Sequence, residues 1–221
     1  MKISTSSNSS SLCSTLIALA LVCATGVAAL YYGTMGFEVV STEDGRRLAV
    51  SRQPLDLPAA AIHQPQAATL ARMLGEDGRI AIVTFFYSSC NAVCSVLGNE
   101  LQQMQDEIRK RGLQHDVRLV SISFDPRDSS PVLADYARRL HADPALWRMV
   151  SVDREEQRKA LLDAFGIVVL PAPLGEFQHN AAFHLIDRQG RLARIDDYDD
   201  PAQALEDAVQ LARTSARGGR P

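Results

Sequence analysis

Cys90 and Cys94 carry the residue types most suited to chemistry in this chain, in the run Phe85-Phe86-Tyr87-Ser88-Ser89-Cys90-Asn91-Ala92-Val93-Cys94. They sit where an apolar strand pattern, Ile80 to Tyr87, gives way to a helical one, Val93 to Lys110. That handover is expected to put Cys90 at or near a helix N-terminus. Unpaired backbone N–H groups and the helix dipole favour an anion there. A thiol so placed is more acidic, which makes it a better nucleophile and a better metal ligand. Cys94 follows four residues later and is expected on the same helix face, with Cβ atoms roughly 5–6 Å apart. A disulfide needs about 3.5–4.5 Å between Cβ atoms, so the pair closes only if the first helical turn adjusts. Two neighbouring thiolates point to copper(I) binding or to redox chemistry.

The surrounding pattern is that of an open α/β domain. Arg79 to Tyr87 and Val117 to Phe124 are near-continuous apolar runs of the buried-strand kind. Helical patterns cover Ala67 to Leu74, Val93 to Arg111, Pro131 to His141, Arg154 to Phe165 and Pro201 to Arg213, with Gly112 and Gly166 as stops. Trp147 to Val152 reads as a short strand. Ala182 to Asp187 and Arg191 to Ile195 read as a hairpin around Arg188-Gln189-Gly190. Strand–helix–strand–helix, then hairpin and helix, is the order of a thioredoxin-like domain. It places the cysteines at the carboxyl edge of the sheet, where the sites of open α/β sheets collect.

Composition excludes some functions and locates others. The chain has 221 residues, 46% hydrophobic and 22% charged, with net charge −3, and no sustained basic run that would suit nucleic acid. Residues 1–11 form a Ser-rich polar tail. Leu12 to Tyr32 is uncharged and long enough to cross a hydrocarbon core of about 30 Å, so residues 12–32 are expected to be a transmembrane anchor. Cys13 and Cys23 are then small apolar residues of a membrane helix. Lys2 before the segment favours a cytoplasmic N-terminus and an exported domain. The expected location is the inner (plasma) membrane, single-pass, with the soluble domain on the periplasmic or outer face. Residues 33–66 read as a tether leading into a 67–213 domain, and residues 214–221 as a flexible tail.

Three landmarks in this order resemble the Sco (SenC-like) family of membrane-anchored copper chaperones for cytochrome c oxidase. They are Phe85-Phe86-Tyr87 followed by Cys90 and Cys94; Ser121-Ile122-Ser123-Phe124-Asp125-Pro126 running on to Pro131 and Tyr136; and His179 six residues before Leu185-Ile186-Asp187. The resemblance covers roughly residues 67–200. It implies a thioredoxin-like fold with copper held by Cys90, Cys94 and His179, as Cu(I) and also as Cu(II). It also implies an oxidase subunit or another copper chaperone as partner. The chain departs from the usual family pattern at Asn91 and Ser95, where proline usually follows each cysteine. Arg127-Asp128 comes one position early, and Gln178 replaces the aspartate before the histidine.

Several alternatives stand beside this reading. Cys90 and Cys94 would also serve a thiol–disulfide oxidoreductase, one attacking and the other resolving the mixed disulfide. A redox or copper sensor without transfer is a third possibility. Without the resemblance, His179, which follows the loop from Pro171 to Gln178, reads as an exposed loop histidine. His184, five residues on within a strand pattern, is read as a structural group. Were it to join Cys90, Cys94 and His179, a tetrahedral zinc site would result. Asp125 either shapes a turn or tunes the thiols. Asp196 to Asp200 reads as an exposed loop capping the last helix, and His63, His115 and His141 as solvated residues. A peroxidase is a poor fit, because no Arg or Lys lies between Thr84 and Leu101 to activate a single thiolate.

Overall fold

Alternation along one strand divides the core into two layers. In β1 (Ile80–Phe86), Ile80 and Ile82 face one cluster, while Ala81, Val83 and Phe85 face the other. All seven residues of β1 are buried, as are all seven of β2 (Val117–Ser123), which is what apolar runs with helices on both faces require. The computed structural model describes residues 8–34, 36, 41–62, 69–75, 77–90 and 93–218, with the side chains of 8–11, 93–97 and 216–218 outside that description. The helices are α1 (Asn8–Gly33), α2 (Thr42–Arg52), α3 (Leu70–Gly75), α4 (Val93–Lys110), α5 (Ser130–Arg139), α6 (Glu155–Phe165) and α7 (Pro201–Gly218). The remaining strands are β3 (Trp147–Ser151), β4 (Val169–Pro171), β5 (Phe177–His179), β6 (Ala182–Ile186) and β7 (Leu192–Asp197).

Five strands form one mixed sheet in the order β3-β2-β1-β6-β7. β1, β2 and β3 run parallel, and β6 and β7 run antiparallel to their neighbours. Leu101, Met104 and Ile108 of α4 and Ala204, Leu205, Ala208 and Val209 of α7 cover one face. Leu70 and Leu74 of α3, Leu133 and Tyr136 of α5, and Leu161 and Phe165 of α6 cover the other. This is the thioredoxin-like arrangement expected from the order of the elements. β4 and β5 pair only with each other, as a small separate hairpin.

The chain divides into two compact units, residues 1–49 and 50–221. In the first, Leu12–Gly33 is long and apolar enough to cross a bilayer, and its side chains are exposed throughout, as a span without its lipid would be. The helix begins at Asn8, inside the expected polar tail. In the second, Val50, Ala60 and Ile62 are core residues, Leu55 pairs with Leu192 and Ile62 with Val152. The later part of the expected tether is therefore packed chain. Its short apolar pieces are too scattered for a periodic signal, yet Val50, Ala60 and Ile62 join the core cluster.

Two further expectations change. α7 continues through Gly218 where a frayed tail was expected, helped by Ala216 and Arg217, which are good helix formers, and by Ser215 Oγ donating to the Leu211 carbonyl at 2.8 Å. The acidic run is not all loop: β7 extends to Asp197, and Asp196 is buried against Arg194 at 2.6 Å. Asp200 does act as a cap, accepting the Gln203 N–H at 2.9 Å.

Candidate metal centre

β1 ends at Phe86, and the chain turns through Ser88 and Ser89 to Cys90, whose N–H donates to the Tyr87 carbonyl at 3.4 Å. α4 begins only at Val93. Cys90 thus lies on the turn before the helix and Cys94 in its first turn, so helical i,i+4 spacing does not set their separation. The Cys90 side chain is half-buried against the larger core cluster. Asn91 and the Cys94 side chain lie outside the described residues.

The turn is held from across the sheet edge. Asp128, buried in the loop after β2, accepts the Ser88 N–H at 2.8 Å and the Ser123 hydroxyl at 2.6 Å on Oδ2, and the Ser88 hydroxyl on Oδ1. Asp125 takes the turn role. It accepts the Arg127 N–H at 2.9 Å and forms a bidentate pair with the Arg127 guanidinium at 2.6–2.9 Å. Arg127 reaches on to the Gly175 carbonyl at 2.8 Å and lies over the Phe177 ring.

His179 stands at the end of β5, in a strand where a loop had been expected. Three-residue strands are too short to show alternation, which hid the β4–β5 hairpin from the sequence. Its ring packs edge-on against Phe124 at 4.9 Å and Tyr87 at 6.2 Å. Nδ1 lies 2.9 Å from the Asn180 carbonyl, which selects the tautomer protonated at Nδ1 and leaves the Nε2 lone pair for a ligand. Burial lowers the His179 pKa, partly offset by that carbonyl, so the ring favours the neutral, ligand-competent form.

Tyr87 touches both halves of the site. Its hydroxyl donates to Glu176 Oε2 at 2.6 Å and lies 3.4 Å from the Phe177 N–H, and its carbonyl accepts the Cys90 N–H at 3.4 Å. Burial and the Glu176 bond push the phenol above its ordinary pKa, so it stays protonated. The clamp of Asp128 on Ser88 and the bond of Tyr87 to Glu176 were not legible in the sequence, because the partners lie 40 and 89 residues apart.

His184 does not join this group. It is buried between Phe85 and Phe165, with Nε2 3.1 Å from the Phe165 carbonyl and Nδ1 3.4 Å from the Val83 carbonyl. Both ring nitrogens face backbone, which makes it the structural residue the sequence suggested and removes the four-ligand zinc set. Among the described residues no three His, Cys, Asp or Glu side chains cluster as metal ligands. His115 and His141 lie on the surface, and His63 lies outside the described residues.

A five-stranded thioredoxin-like sheet with a cysteine turn at the end of its central strand and a histidine on a separate hairpin defines a Sco-type domain. The SCO1/SenC family model matches residues 66–213, and the chain belongs to that family. Among solved structures, a SCO1/SenC family lipoprotein from Bacillus anthracis is 22% identical, covering 73% of this chain and 98% of its own, with TM-score 0.59. Arabidopsis thaliana ScoI with copper bound is 17% identical over 71% of this chain and 96% of its own, with TM-score 0.57. BsSco, described with a disulfide switch as a member of the Sco family of cytochrome c oxidase assembly proteins, is 19% identical over 72% and 96%, with TM-score 0.56. A search of curated proteins gives no match.

Proposed function

We propose that this chain binds copper through Cys90, Cys94 and His179 and delivers it, from the outer face of the membrane, to a respiratory oxidase subunit or another copper chaperone. The observation that carries the reading is the shared neighbour: Tyr87 accepts the Cys90 N–H on its carbonyl and packs edge-on against the His179 ring. Two soft thiolates suit copper(I), and an imidazole with its Nε2 lone pair available suits copper in either oxidation state. Copper is cargo in this reading. A donor set split between a turn and a hairpin allows one ligand to leave while the others hold, which is what ligand exchange with an incoming cysteine or histidine needs. The copper bound to the Arabidopsis relative supports the choice of metal. The apolar helix Leu12–Gly33 supports tethering at a membrane, where an oxidase would be met.

The disulfide switch described for BsSco favours one second reading, a thiol–disulfide oxidoreductase that reduces a target's cysteines. In that chemistry one thiolate attacks the target disulfide, the target's second sulfur leaves as a thiolate, and the remaining cysteine resolves the mixed disulfide. His179 has no part in it.

The test is an anaerobic copper(I) titration of the reduced full chain in detergent, in competition with a chromophoric chelator. Wild type is compared with Cys90→Ser, Cys94→Ser and His179→Ala. One copper per chain, lost in either serine variant and weakened about 10–100-fold in His179→Ala, is the expected result. No copper retained against the chelator, with a reversible dithiol–disulfide couple intact in His179→Ala, would leave the oxidoreductase.

A further inference from the structure

The β4–β5 hairpin shares no ladder with the five-stranded sheet, so backbone pairing does not fix His179 relative to Cys90. Side chains must do it. Arg127 ties the hairpin tip through Gly175, but its side chain is 56% exposed, and such a tie is weakened by solvent and salt. Asn180 ties the hairpin base to its own approach, accepting the Val168 N–H at 2.7 Å and donating to the Gly166 carbonyl at 2.9 Å. Tyr87 differs from both. It is 3% exposed, follows the central strand directly, touches Glu176 and Phe177 with its hydroxyl, and accepts the Cys90 N–H on its carbonyl. Its ring packs edge-on against Phe177 at 5.2 Å, so the hydroxyl and the ring grip the same strand.

We propose that Tyr87 is the positioning residue that couples the two halves of the metal site, its hydroxyl holding the His179 hairpin in register with Cys90. This deepens the copper-binding reading and rests on it. Glu176 is the other half of the latch. Removing the hydroxyl leaves the half-buried Glu176 carboxylate without its donor, and the carboxylate then turns toward water and takes the hairpin with it. The aromatic packing of Phe124 and Phe177 remains, so the fold persists while the register of His179 relaxes.

The experiment is a double-mutant cycle on the full chain in detergent, with Tyr87→Phe, His179→Ala and the pair, read by copper(I) competition. Tyr87→Phe is expected to weaken copper(I) about tenfold. In that background His179→Ala is expected to cost little more, because the imidazole has already lost its place. Glu176→Gln, which keeps an acceptor oxygen for the phenol, should stay near wild type, whereas Glu176→Ala should match Tyr87→Phe. Additive losses in the cycle, or wild-type affinity in Tyr87→Phe, would overturn the proposal.

A second readout needs no metal. Hydrogen exchange at the Ala172 amide, which bonds the Glu176 carbonyl at 2.8 Å, should quicken about tenfold in Tyr87→Phe, while exchange at Val83 in the central strand stays unchanged. Unchanged exchange at Ala172 would refute the latch whatever copper does. Wild type that binds no copper, with Ala172 exchange still quickened, would place the failure in the copper reading instead.

Discussion

Asp128 shows how a single side chain sets the geometry of a turn it does not belong to. Its carboxylate gathers the Ser88 N–H, the Ser88 hydroxyl and the Ser123 hydroxyl, two residues upstream of Cys90. Asp128→Asn turns one acceptor oxygen into an N–H₂ donor facing hydroxyls and an amide. It is expected to destabilise the protein by about 2 kcal/mol, measured by urea unfolding, and to weaken copper(I) binding more than that loss of folded protein explains. Equal stability and affinity in Asp128→Asn and wild type would show that the clamp is dispensable. His179 gives a pH prediction at the same scale. Its folded pKa lies below the unfolded value of about 6.5, so the folded state binds fewer protons in that window. The residue's contribution to stability therefore falls as pH drops through 6.5 toward the folded pKa, and stays constant below it. An NMR titration of the apo protein should place the His179 midpoint under about 6.5, and a midpoint at or above that value would contradict the burial. At this scale the sequence singled out Cys90 and Cys94 by residue type and spacing, and His179 only through the family resemblance. It was silent wherever the role depends on a partner, because nothing local distinguishes Asp128 from a surface turn aspartate.

Elements were legible in proportion to their length and periodicity. β1, β2, α4 and α6 showed in the sequence because buried runs and amphipathic stretches repeat over seven residues or more. The β4–β5 hairpin did not, and neither did the corner between α3 and β1. At that corner Asp77 meets Arg79 at 2.7 Å and Arg118 at 3.0 Å, and Arg118 also donates to the Met73 carbonyl at the end of α3. Arg118 is 2% exposed, and burial pulls its pKa down to about 10. A guanidinium inside a strand is unreadable from pattern alone, since Val117-Arg118-Leu119 looks like a core face meeting a solvent face. Asp77→Asn strands the buried charge and is expected to cost about 3 kcal/mol by thermal or urea unfolding. The pH dependence has a definite sign. Burial raises the Asp77 pKa, but the Arg79 hydrogen bond and the Arg118 charge outweigh it and leave the group below its ordinary value. The pair's stabilisation is therefore present above about pH 4 and lost as pH falls through the depressed folded value. An acid unfolding curve for Asp77→Asn that overlays wild type would refute the coupling.

At the scale of the molecule the question is where the folded domain begins, since that sets how much chain lies between it and the apolar helix. Composition drew the line at Ala67, after a stretch punctuated by Gly and Pro. Packing draws it earlier, because Val50, Ala60 and Ile62 are 6%, 0% and 5% exposed and belong to the same cluster as Phe85 and Phe165. Residues 55 and 62 also make bridges to β7 and to the residue after β3, closing the sheet's second face. A chain that starts at Ala67 loses those contacts, and buried aliphatic side chains of this size contribute about 1.5–3 kcal/mol each. The expected outcome is that a fragment of residues 67–221 melts well below a fragment of residues 50–221, by roughly 10 °C or more at about 4–8 °C per kcal/mol for a small domain. Equal melting temperatures would mean that the segment is laid on the surface without stabilising it, and the compositional boundary would be the right one. If the difference appears, only residues 34–49 separate the apolar helix from the packed domain. Under the proposed delivery function, that shorter linker would limit the reach of the copper site more than a free tether of 33–66 would. Inserting a flexible Gly/Ser stretch of about ten residues after Gly36, between α1 and α2, should leave copper(I) affinity unchanged while altering transfer to a membrane-bound acceptor, read by the rate of copper exchange in proteoliposomes.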